Sequence, residues 1–83
     1  MVKRNIIGDR VRLGRKKAKP PITQLDLAAK LQVEGLRLEQ AAISKIEAGK
    51  REVTDIEAAV MAKVLGVTIG WLFGGEEGEE HQS

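Results

Sequence analysis

The chain has 83 residues, a net charge of +2 and no cysteine, with 42% hydrophobic and 2% aromatic residues. That length accommodates one small domain, and a chain without cysteine has no disulfide framework, thiol nucleophile or thiolate metal site. One histidine, His81, cannot supply a histidine metal cluster, no apolar run approaches the roughly 20 residues that cross a bilayer, and the start MVKRNIIGDR is too polar for a signal peptide. The expectation is therefore a cytoplasmic protein with no cofactor, no metal and no membrane contact.

No strand pattern is present, and the turn residues divide the chain into about five short helices. The first is expected from about Asn5 to Lys17, with Ile7, Val11 and Gly14 inward and Pro20-Pro21 as the stop. Gly14 is costly on such a face and implies close approach of another segment, expected to be the long link that follows the second helix. That second helix opens at Thr23 with a capping-box variant, Thr23-Gln24-Leu25-Asp26, and Ile22 and Leu27 can form a hydrophobic staple. A glycine-containing connection follows (Gln32 to Arg37). The third helix is expected from about Glu39 to Ala48, with Ile43 and Ile46 inward and Gly49 in the left-handed position that ends a helix. The fourth opens with a full capping box, Thr54-Asp55-Ile56-Glu57, carries Ile56, Val60, Val64 and Leu65 at helical spacing, and ends at Gly66. Thr68 can cap a short fifth helix with Trp71, Leu72 and Phe73. Residues 1–73 form the expected domain, and residues 74–83, with no apolar side chain, the expected disordered acidic tail.

The net charge conceals a gradient. Residues 1–51 hold 13 of the 14 basic residues against five acids, a net +8, while residues 52–73 carry −2 and the tail −4. A basic body with an acidic tail suits a polyanionic partner at one face.

The second and third helices, joined near a glycine, have the form of a helix-turn-helix. Such a pair is common in small helical proteins, and its second helix can enter a DNA major groove. The residues are more specific than the geometry. Thr23-Gln24…Leu27-Ala28…Leu31, then ISKIEAGKR from Ile43 to Arg51, then LGVTIGWLF from Leu65, resemble the phage repressor/Cro helix-turn-helix family from about Ile7 to Gly74. Two features depart from the family pattern: about five additional residues between Leu31 and Ile43, and the longer first connection at Pro20-Pro21.

The resemblance implies an all-α, five-helix repressor-like domain that binds double-stranded DNA as a homodimer, and it implies roles by position. Thr23 and Gln24 match the phosphate-binding start of the second helix, with Gln24 also bracing the recognition helix. Gln40, Ala41, Ser44 and Lys45 match its outward positions: Gln40 suits adenine, Lys45 guanine and Ala41 a thymine methyl. Lys50 and Arg51 match a backbone-gripping loop, and Arg37 in the long link is a further candidate. Glu47 matches a carboxylate paired with an arginine of the first helix, here Arg15. Ile69, Trp71, Leu72 and Phe73 are the expected dimer face.

An alternative is an antitoxin or adaptor on the same scaffold whose acidic tail takes a basic protein partner. Catalysis is not expected: Ser44 has no base implied beside it, and no phosphate-binding glycine loop or metal cluster is present.

Overall fold

Turn chemistry sets the helix boundaries. A computed structural model describes residues 2–75, which form α1 (Gly8–Lys17), α2 (Gln24–Val33), α3 (Gln40–Glu47), α4 (Asp55–Leu65) and α5 (Ile69–Leu72), with no strand among the described residues. The all-helical, five-helix expectation holds. Both capping boxes form. Thr23 Oγ1 accepts from the Asp26 N–H at 2.9 Å and the Asp26 carboxylate takes the Thr23 N–H at 3.2 Å. Thr54 and Glu57 repeat the exchange at 3.1 and 3.0 Å, and Thr68 Oγ1 accepts from the Trp71 N–H at 2.9 Å. Each cap satisfies a donor that has no partner within its helix and is worth about 1 kcal/mol.

Glycine stops α2 and α3. Gly35 (φ +89°) and Gly49 (φ +77°) adopt the left-handed conformation, which turns the next N–H back into the helix. The Leu36 N–H reaches the Leu31 carbonyl at 2.9 Å, and the Lys50 N–H reaches that of Lys45 at 2.8 Å. The link between α2 and α3 is therefore Glu34 to Glu39, displaced by two residues from the expected Gln32 to Arg37, because α2 continues past Leu31 to Val33 and α3 begins at Gln40.

The side chains of Ile7, Val11, Leu27, Leu31, Ile43, Ile46, Met61 and Leu72 are fully buried in one core shared by all five helices. Three expectations need correction. First, α1 starts at Gly8 instead of Asn5, because Asn5 turns back: its Oδ1 accepts from the N–H groups of Ile7 and Gly8 at 3.1 and 2.8 Å. Second, the inward stripe of α4 is Ala58, Met61, Ala62 and Leu65, while Ile56 is exposed and Val60 and Val64 are half-buried. That stripe has perfect helical spacing, but two of its members are alanines, and close packing of helices favours the small residues. Third, Gly14 admits α4 and α5 instead of the link: a Cβ there would lie 3.3 Å from Leu65 Cδ1 and 3.6 Å from the Trp71 ring.

The start of α4 carries an acid-sensitive contact. Arg51 holds the Glu57 carboxylate with two hydrogen bonds, at 3.0 and 3.2 Å. Those bonds, ahead of the backbone bond from Thr54, keep the Glu57 carboxyl below its ordinary 4.5 against the effect of burial. A carboxylate whose pKa is depressed by folding stabilises the fold fully above its unfolded pKa, and loses that contribution as pH falls through the folded value. Melting temperature should therefore drop in acid, and Glu57→Gln should flatten that drop below about pH 4.5. Asp26, also held low by the Thr23 backbone bond, leaves a residual slope. An acid limb of equal steepness in the variant would exclude Glu57 as its source.

Candidate nucleic-acid interface

The outward side of α3 is determined by what its inward side is attached to. Ile43 and Ile46 have no exposed surface, and α3 packs on both α1 and α2. At helical spacing this leaves Gln40, Ala41, Ser44, Lys45 and Ala48 exposed on a single face. The recognition positions implied by the resemblance thus share one unobstructed strip.

A buried polar knot fixes the helix behind the strip. Arg15 Nε donates to Glu47 Oε2 at 2.6 Å and an Arg15 Nη donates to Glu47 Oε1 at 2.8 Å, with side-chain exposures of only 9% and 6%. Gln24 Nε2 donates to the same Oε1 at 3.1 Å, and Arg15 also donates to the Ile22 carbonyl at 2.9 Å. The hydrogen bonds that Arg15 donates to Glu47 raise the Arg15 pKa further above its already high ordinary value, against desolvation. This bidentate, charge-assisted pair ties α1, the start of α2 and the end of α3 into one unit, so the orientation of α3 follows from α1 and α2 together.

Two residues that the sequence reading passed over complete the attachment. Asn5 Nδ2 donates to the carbonyls of Ile46 at 3.0 Å and Arg51 at 2.8 Å. Gly8 lies directly against the end of α3, where a Cβ would collide with the Ile46 carbonyl oxygen. The available signal for Gly8 was a glycine at the start of a helix with no turn to justify it.

The expected site residues fall into groups. Arg37, Gln40 and Ala41 line one open hollow with Leu25, between α2 and the link. Gln24 and Ser44 line a second, and there Arg12 and Lys16 of α1 join them. These two cations were missed because their spacing, four residues apart on α1, acquires meaning only when that face is found beside α3. Thr23 is exposed at the start of α2, where its hydroxyl serves the cap; the N–H groups of Gln24 and Leu25, at the first two helical positions, have no acceptor within the helix. Lys45 and Lys50 are exposed.

Two expectations change. The Arg51 guanidinium is half-buried and taken up by Glu57 and the Glu52 carbonyl, so it serves the cap of α4 instead of projecting as a free backbone grip. Trp71 and Leu72 belong to the monomer's own core, with Arg10 and Lys17 lying 4.6 and 4.8 Å from the Trp71 ring centroid. Of the expected dimer face, only Ile69 and Phe73 stay about half exposed. Arg10 also donates to the carbonyls of Trp71 and Gly75 at 2.9 Å, so the packed body continues to Gly75. The rest of the expected acidic tail lies outside the described residues.

Among the described residues no group of three or more His, Asp or Glu could hold a metal, and no helix is long and apolar enough to cross a membrane. A helix-turn-helix family model matches residues 22–72. No curated protein and no solved structure matches the chain. The match covers more than half of the sequence and runs from the residue before the α2 cap through α5, so the chain belongs to the helix-turn-helix family, in its Cro/C1-like branch. Membership makes it a DNA-binding transcription regulator.

Proposed function

From that membership, we propose that the protein is a cytoplasmic, sequence-specific repressor that binds an inverted-repeat operator as a homodimer, with α3 in the major groove. The observation that carries this reading is the unobstructed α3 strip held rigidly by the Arg15–Glu47–Gln24 knot. In the groove, Gln40 can pair with adenine N6 and N7, Lys45 can donate to guanine O6 and N7, and Ala41 can touch a thymine methyl. Lys50, Arg12, Lys16 and the start of α2 would hold phosphates on either side and set the register. Arg37, carried by the link beside Gln40, would extend contact beyond the recognition helix.

A single α3 of eight residues reaches few base pairs, so site-finding requires two copies, with half-sites about 34–36 Å apart. Ile69 and Phe73, exposed on and just after α5, are the proposed contact between copies. Occlusion of a promoter by the dimer would then repress it.

Selection of binding sites from random DNA tests the proposal, and an enriched palindrome is expected. Against the selected site, Lys45→Ala should change preference at one base pair by about 1–3 kcal/mol. Lys50→Ala should weaken binding to all sequences and reduce the salt slope by about one. Equal weakening of selected and random DNA by both variants would remove Lys45 as a base reader.

A further inference from the structure

Residues ahead of α1 lie along the end of α3. The Arg4 N–H donates to the Gly49 carbonyl at 2.8 Å. The stem of Lys3 covers buried Gly49 so closely that a Cβ there would lie 3.0 Å from Lys3 Cγ. Asn5, next in the chain, holds the Ile46 and Arg51 carbonyls. Three consecutive residues therefore fasten this segment to the turn that leads into Lys50.

The charged ends of Lys3 and Arg4 remain in solvent, with side-chain exposures of 60% and 65%. Among the described residues each has one acidic neighbour at long range, Asp9 at 3.5 Å and Glu52 at 3.9 Å, and both carboxylates are more than 80% exposed. Ion pairs this open are weak, so a phosphate can displace the carboxylate. The C-terminal end of a helix carries negative potential and by itself repels a phosphate. Lys3 and Arg4, added to Lys50, reverse that sign where the strip of α3 ends.

We propose that Lys3 and Arg4 bind backbone phosphates of duplex DNA, forming a second grip at the C-terminal end of α3. The inference rests on the DNA-binding reading above and adds a contact that lies outside the matched residues 22–72.

The test is Lys3→Gln/Arg4→Gln, which keeps the Arg4 N–H and much of the stem over Gly49. The probe is a random-sequence DNA duplex, with affinity measured by fluorescence anisotropy across a salt series. Melting temperature should be unchanged. The slope of log affinity against log salt should be shallower by about 1.8, at about 0.9 per phosphate. The variant would then lose about tenfold less affinity than the parent between about 50 and 200 mM salt. Asp9→Asn/Glu52→Gln, which frees both cations, should bind the duplex more tightly than the parent. An unchanged slope in the first variant, whatever its melting temperature, overturns the inference; if Lys50→Ala still lowers the slope, the DNA-binding reading stands. A parent protein with no salt-dependent duplex binding overturns both.

Discussion

Gly8→Ala is expected to lower the melting temperature by roughly 12–24 °C, from a cost of about 3 kcal/mol in a domain where each kcal/mol moves the midpoint by about 4–8 °C. The cost comes from backbone meeting backbone. The new Cβ would overlap the Ile46 carbonyl oxygen and crowd the Glu47 carbonyl at 3.0 Å, and no rotamer change relieves a clash with a carbonyl. Relief requires α1 and α3 to separate, which also strains the Arg15–Glu47 pair between the same two helices and the bond from Asn5, just ahead of α1, to the Ile46 carbonyl of α3. The control is Gly70→Ala, the same chemical change in α5, where a Cβ meets only Thr68 Oγ1 at 3.8 Å. It should leave the midpoint nearly unchanged. Similar shifts in the two variants would show that loss of a helical glycine, and not the α1–α3 approach, sets the effect.

Glu47→Ala should cost about 3–5 kcal/mol in chemical denaturation, because it leaves a guanidinium buried without its carboxylate. Arg15 cannot escape by losing its proton: its pKa is already beyond any working pH, and only the Ile22 carbonyl would remain as a partner. Removing both charges with Arg15→Met/Glu47→Leu should restore most of the stability, since a well-packed apolar pair is often as stable as a buried ion pair. DNA affinity should not return with it, because Gln24 loses the carboxylate that positions it and α3 loses its polar tie to α2. A double variant that is stable and binds DNA like the parent would reduce the knot to a packing element.

The parts of this fold legible in the sequence are those governed by neighbours along the chain. Thr23 with Asp26 and Thr54 with Glu57 are three residues apart, close enough for each pair to decide a helix start alone. Gly49 and Gly66 end helices because the left-handed conformation required there disfavours a side chain, whatever surrounds them. The outward strip of α3 was legible for a related reason: Ile43 and Ile46 fix one side of a short helix, and Gln40, Ser44 and Lys45 must then occupy the other.

Arg51 shows where that logic stops. Its place after Lys50 suggested a phosphate contact, yet the Glu57 that caps α4 is brought within 3.0 Å and takes the guanidinium. Trp71 and Leu72 show the same limit. Large apolar residues near the end of a small chain suit a dimer contact and a core equally well. Packing decides the matter: Leu72 is fully buried, and the Trp71 ring lies against α1 beside Gly14 with little of it exposed.

By itself the sequence determined the helical class, the helix ends marked by capping boxes or glycine, the helix-turn-helix pair and the residues on its outward face. These follow from spacing and from the conformational preferences of residues within a few positions of one another. Only the tertiary structure decided which cations are free to meet a polyanion, which apolar side chains are already used, and how α3 is aimed. Those outcomes depend on contacts such as Gly8 with Ile46, Asn5 with Arg51 and Arg15 with Glu47, which span more than 30 positions. A charge or an apolar side chain acquires its role from the neighbours that packing supplies, and spacing along the chain does not specify them.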